Sequence, residues 1–183
     1  MTARIALRLL AASAPLLAAS CAPAPKPAPV NTVPTPRPTQ IYTPPPVVEE
    51  PDYANFLDAP QTPGDWTFDR EASGSLAQFV SPANMVEFSL RCDLPTRRVE
   101  LSRPGRAPAA VPMRVRTETA ERLVSATPDT GGAQRLGVEL TSYDPLLDAI
   151  AFSRGRFAVE TAGLQTLYLP AWPEITRVVE DCR

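Results

Sequence analysis

Three cysteines are the residues best placed for covalent chemistry: Cys21, which closes the run Leu16-Leu17-Ala18-Ala19-Ser20-Cys21, and Cys92 and Cys182 far downstream. No CxxC spacing occurs, and neither downstream thiol has an activating base nearby in sequence, so a catalytic or redox thiol is not indicated. Histidine is absent throughout, which removes the usual general base, the usual metal ligand and every triad built on imidazole. The single lysine is Lys26, so a serine nucleophile has no lysine base, and Gly131-Gly132 carries neither a phosphate-loop nor a dinucleotide pattern. Asp65, Asp69 and Glu71 alternate along a strand with nothing resembling a calcium loop and read as a solvated face. Asp144, Asp148 and Glu174 would make a hydrolase only if the fold converged them on one polar cleft. No catalytic residue, metal ligand or cofactor is therefore expected.

Two groups could recognise a ligand. In Ser153-Arg154-Gly155-Arg156, two arginines beside a helix end could grip a carboxylate or phosphate of a cell-wall or lipid ligand. Cations also suit a helix C-terminus on electrostatic grounds alone. Trp66, Trp172 and Tyr168 could line a sugar-binding groove, although large aromatics at sheet margins more often serve as core.

The first twenty residues have a secretory layout, with Arg4 and Arg8, an apolar stretch over 9–19 and then small residues. A mostly apolar stretch of about eleven residues is too short to cross roughly 30 Å of hydrocarbon as a helix. The small residues followed by Cys21 resemble the lipobox of bacterial lipoproteins, with Ala18 where that family more often has Leu. The resemblance implies cleavage before Cys21 and acylation of its sulfur by chains such as palmitate. At about 0.8 kcal/mol per buried methylene, several chains hold a protein firmly on a bilayer. Ala22, rather than Asp, follows the cysteine, which in this family favours the outer membrane. Ala18-Ala19-Ser20 also passes as an ordinary small-x-small secretory site, so plain secretion is the competing reading.

From residue 22 to residue 63 the composition changes: 13 of the chain's 23 prolines fall in these 42 positions. Proline fixes φ and removes a donor, so neither helix nor interior strand persists, and extended polyproline conformations remain. At about 3.1 Å per residue the limit of reach is on the order of 130 Å, enough to hold a domain clear of a membrane. Pro36-Arg37-Pro38 and Pro44-Pro45-Pro46 look superficially like targets of proline-reading domains, but the segment reads best as a spacer. Near its end Tyr53, Phe56 and Leu57 form an apolar cluster that either docks on the domain or forms a solvated turn.

Residues 64–183 are expected to form one domain of ordinary size. Its 14 arginines and 16 acidic residues are interspersed, leaving no basic footprint for nucleic acid. Period-two alternation dominates. Val86, Phe88, Leu90 and Cys92 alternate with polar residues; after the turn Asp93-Leu94-Pro95-Thr96, Val99 and Leu101 do the same, which predicts an antiparallel hairpin. The pattern recurs at Val111, Met113 and Val115, at Leu136, Val138 and Leu140, at Phe157 and Val159, and at Leu167 and Leu169 after a Gly163 turn. Weaker strands are expected over 66–69, 76–81 and 123–126. Two short helices interrupt them. Asp144 followed by Pro145 caps one over 145–153, with Gly155 just past its end. Pro173 and Glu174 open the other, whose stripe Ile175, Val178, Val179 and Cys182 marks the buried face. The fold class expected is α+β: a mainly antiparallel sheet, meander or sandwich-like, with the second, C-terminal helix packed on it.

With Cys21 acylated, two cysteines remain, and both lie on predicted core-facing stripes. An oxidising compartment favours a Cys92–Cys182 bond, worth about 4 to 5 kcal/mol for so long a loop in the chain-entropy model. The globular region, with a Trp-led strand, a strand cysteine and a strand pair followed by a helix ending in cysteine, resembles small periplasmic proteins of the invasion-associated locus B kind. That resemblance implies a disulfide-bonded β-rich envelope protein. The expected whole is a lipid-anchored envelope protein presenting a non-catalytic binding or scaffolding domain to the periplasm, its partner an envelope protein or cell-wall component.

Overall fold

The structure is a computed structural model, and it describes residues 53–183. The leader, Cys21 and most of the proline-rich segment lie outside the described residues. Among those described, no helix is long and apolar enough to cross a membrane.

Nine strands and two helices follow one another: β1 (Asp65–Glu71), β2 (Gly74–Val80), β3 (Val86–Asp93), β4 (Arg98–Pro104), β5 (Val111–Arg116), β6 (Glu121–Pro128), β7 (Arg135–Thr141), α1 (Pro145–Ala151), β8 (Arg156–Thr161), β9 (Leu167–Pro170) and α2 (Pro173–Asp181). All strands join one antiparallel sheet in the order β1-β2-β3-β4-β7-β6-β5-β8-β9. The sheet is a single curled half-barrel rather than a sandwich of two. Neighbour-to-neighbour winding breaks twice: after β4, where the chain skips ahead to lay down β5 and β6 before β7 returns to pair with β4, and after β7, where β8 crosses to pair with β5.

Alternation decides which residues fill the half-barrel. Phe88, Leu90 and Cys92 on β3 face the same side as Val99 and Leu101 on β4, Met113 and Val115 on β5, and Phe157 and Val159 on β8, and all are buried. Trp66, Phe79, Phe88 and Phe157 meet edge to face with centroids 5.4 to 6.5 Å apart, the arrangement favoured by ring quadrupoles. Gly74 opens β2 because a side chain there would collide with the carbonyl oxygen of Cys92, 2.0 Å from where its Cβ would stand.

Both helices start where the sequence predicts, α1 with a side-chain cap and α2 with Pro173 in its first turn but no side-chain cap. The Asp144 carboxylate accepts from the Leu146 amide at 2.9 Å, with Pro145 at the first helical position. The chain leaves α1 through Gly155 at φ 80°, a left-handed conformation that glycine adopts without penalty. On α2, Ile175, Val178, Val179 and Cys182 are buried and face β2 and β3. Cys182 is bonded to Cys92, with a Cα separation of 5.5 Å and 90 residues between them. The Arg97 side chain donates to the carbonyls of Cys182 and Arg183, fastening the chain end beside the disulfide.

The folded unit reaches back beyond the boundary expected at residue 64. Residues 56–58 form a single 3-10 turn capped by Asn55, with Phe56 and Ala59 buried on the outer side of β8. Docking, not a solvated turn, is thus the outcome for this cluster, although Leu57 stays largely exposed.

Two outcomes follow. Replacing both Cys92 and Cys182 with Ala removes the cross-link of a 90-residue loop and is expected to lower unfolding free energy by about 4 kcal/mol in denaturant titration. Arg122 forks onto Asp144 at 2.6 and 2.9 Å and holds its carboxyl below the ordinary aspartate value of 3.8. The stability this contributes is complete above that value and is lost as pH falls towards the lower native pKa. Asp144→Ala is expected to cost about 1 to 2 kcal/mol at pH 7, with the difference from wild type shrinking below pH 4 in acid titrations followed by circular dichroism.

Candidate functional site

Sheet pleating that turns Met113 and Val115 inward turns Arg114 and Arg116 outward from β5. Register then builds two neighbouring rows across the outer face. One runs Leu123 on β6, Arg114 on β5, Glu160 on β8; the next runs Glu121, Arg116, Ala158 and Tyr168 on β9. The four charges form a closed quartet. Arg116 donates to Glu160 at 3.1 Å, whereas its contact with Glu121 is 3.6 Å and those of Arg114 with Glu160 and Glu121 are 3.6 and 3.7 Å. The Arg116–Glu160 pair is the sheltered one, with Glu121 57% exposed and Arg114 48%.

The N-terminal strap walls one side. Arg116 lies 5.3 Å from the centre of the Phe56 ring, a cation-π contact. Arg156 donates to the Ala59 carbonyl. The Thr62 amide donates to the Tyr168 carbonyl, the Tyr168 amide donates to the Thr62 hydroxyl, both at 2.9 Å, and Tyr53 stands edge-on to Tyr168 at 6.1 Å. These contacts cover the free edge of β9. Trp66 of β1 completes the closure by donating its indole N–H to the Pro170 carbonyl at 2.8 Å. What remains open is a groove of about 510 Å³ lined by Tyr53, Pro112, Arg114, Arg116, Leu123, Glu160, Thr166 and Tyr168, within the range of ligand-binding clefts. Leu123 is 63% exposed at its far rim.

The groups singled out from sequence are placed differently. Arg154 is exposed and lies 3.6 Å from Glu118, while Arg156 is committed to Ala59, so the two arginines form no common anion clamp. Ser153 is buried and structural, accepting from the Glu118 amide and donating to the Arg156 carbonyl. The carboxylates considered for a hydrolase are likewise dispersed: Asp144 caps α1 under Arg122, Asp148 pairs with Arg183 at 2.6 Å, and Glu174 sits in the first turn of α2. Trp66 is core, Trp172 is half-exposed ahead of α2, and Tyr168 alone of the three aromatics lines the groove. Asp65 and Asp69 are exposed, Glu71 pairs with Arg91, and no metal-holding group of three or more ligands occurs among the described residues.

Two polar features were not singled out from sequence. Arg135 lies across the outer face of β3 and β4, donating to the Ser89 and Ser102 hydroxyls at 2.7 and 3.0 Å; burial pulls its pKa down while Glu100 opposes that shift. Arg103 continues the inward phase of Val99 and Leu101, and is buried against Thr161. Phase alone signalled Arg103, as it signalled the Arg114 and Arg116 pair.

No family model and no curated protein matches this chain. Among solved structures, the crystal structure of invasion associated protein B from Bartonella henselae aligns with 59% of this chain and 82% of that one, at 14% identity and a TM-score of 0.37. That degree of likeness carries no functional weight.

Because the groove wall depends on the strap, Phe56→Ala is expected to destabilise the domain by about 2 kcal/mol. It should also open residues 53–62 to protease at concentrations that leave wild type intact.

Proposed function

We propose that this protein is a lipid-anchored envelope protein whose disulfide-bonded domain binds a partner in the periplasm without catalysing a reaction. One observation carries the reading: the bond between Cys92 and Cys182 uses two of the three cysteines and leaves Cys21, at the end of a secretory leader, as the thiol open to acylation. A disulfide across 90 residues also suits an oxidising compartment. Tyr53, which lies within the proline-rich segment, lines the groove.

Binding rather than catalysis is supported by how the titratable groups are spent. Asp144 is held ionised under Arg122, the reverse of what a general acid needs. The carboxylate that lines the groove, Glu160, and Glu121 beside it both face arginines. Recognition of peptidoglycan or lipid headgroups through Arg154 and Arg156 is the weaker reading, since their guanidinium groups serve separate internal partners.

Cys21→Ser is expected to abolish incorporation of radiolabelled palmitate and to move the protein from the membrane pellet into the soluble fraction. Mass spectrometry showing an unmodified mature N-terminus in wild type would sink the anchor.

A further inference from the structure

We propose that the outer face of β2, β3, β4 and β7 is a second binding site, for an uncharged polyhydroxylated ligand of the glycan-chain class. It shares no lining residue with the groove over β5 and β8 and depends on neither that groove nor the anchor.

Register lays two rows across this face. Gln78, Ser89, Ser102 and Gly137 stand side by side, and the neighbouring row runs Leu76, Arg91, Glu100, Glu139. Short residues in the middle of the first row sink it below its surroundings. Two adjoining clefts of about 270 Å³ each open there, and Glu100, Asp129 and Arg135 line both. Glycine at 137 keeps the floor low, since a Cβ there would stand 2.7 Å from Glu100 Oε1.

Three half-buried side chains lining one cleft carry hydrogen-bonding groups that no described protein atom uses. Arg135 commits Nε and Nη2 to Ser89 and Ser102, while its Nη1 donates to none of the described residues. Among the same residues the Gln78 amide group and the Glu100 carboxylate have no hydrogen-bond or ion-pair partner. Arg91, by contrast, is already paired with Glu71.

The charges select among ligands. Arg91 and Arg135 stand against Glu100 and Asp129, so an anion loses to the carboxylates what it gains from the guanidinium groups, and a cation the reverse. A neutral hydroxyl escapes this, because it both donates and accepts. Neighbouring hydroxyls of one sugar can accept from Arg135 Nη1, donate to Glu100 and do either with Gln78. A peptide matches less well. Extended peptides read by a sheet add a strand at a free edge, and β2, β3, β4 and β7 are each paired on both sides. The cleft also lacks an apolar pocket for peptide side chains, Leu76 being the one apolar residue beside Gln78, Ser89 and Ser102. From β2 to β7 is three strand spacings, about 14 Å, so the face takes a chain of sugars rather than a single ring.

The test titrates two linear tetrasaccharides, cellotetraose and chitotetraose, into the full-length chain in a zwitterionic detergent free of sugar headgroups, followed by isothermal titration calorimetry. Saturable binding of at least one is expected, with Kd unchanged between about 50 and about 500 mM salt because no net charge is neutralised. Glu100→Ala is expected to weaken binding about tenfold, through loss of a hydrogen bond to a charged group, and Gln78→Ala by a smaller factor. Neither side chain has a protein partner, so thermal unfolding of both variants should match wild type. Glu180→Ala, which removes an exposed carboxylate from α2, is expected to leave the affinity unchanged. No saturable binding of either sugar overturns the site, as does binding that neither Glu100→Ala nor Gln78→Ala weakens. A response to tetra-alanine or to inorganic phosphate in place of both sugars overturns it in favour of a peptide or an anion site.

Discussion

A single sulfur–sulfur bond between the third strand and the last helix is the constraint on which the described domain depends. α2 has nine residues, too few to persist alone in water. It is held by packing Ile175, Val178 and Val179 against the sheet and by the covalent link from Cys182 to Cys92. That attachment seats the helix against β2 and β3. Arg97 reinforces it from the β3–β4 turn by binding the carbonyls at the chain end.

Closure of the other edge is achieved with single hydrogen bonds in place of a ladder. β1 and β9 terminate the sheet, and unpaired strand edges invite association with other chains. Here Trp66 bonds Pro170, while Thr62 satisfies both backbone groups of Tyr168. The strap that supplies Thr62 also buries Phe56 under Arg116 and sets Tyr53 beside Tyr168. Edge protection and the groove wall are thus the same contacts.

Buried polar groups show where alternation was overridden. Ser89 and Ser102 lie on the outer face yet are buried, because Gly137 leaves a gap in the next strand and Arg135 lies down over the hydroxyls. Arg103 falls in the inward phase and finds Thr161 across the half-barrel. In each case a long side chain fills space that an apolar residue of ordinary length would leave empty, and hydrogen bonds offset part of its desolvation.

Local pattern by itself determined most of the elements. Period-two alternation placed Phe88, Leu90, Val99, Leu101, Met113 and Val115 inside, since successive side chains on a strand must face opposite ways. Asp144-Pro145 and Pro173 started the helices because their amides lack partners and proline needs none. Cysteine arithmetic named the disulfide partners. Tertiary structure alone decided that β4 pairs with β7 and β5 with β8, contacts between strands widely separated in sequence, whose register follows from the curl of the whole sheet. It therefore alone decided that Arg114 and Arg116 meet Glu160, that Arg154 and Arg156 part company across Gly155, and that the apolar cluster around Phe56 docks. Phase along a strand is a property of one segment; which strand lies beside it is settled only when the chain has folded.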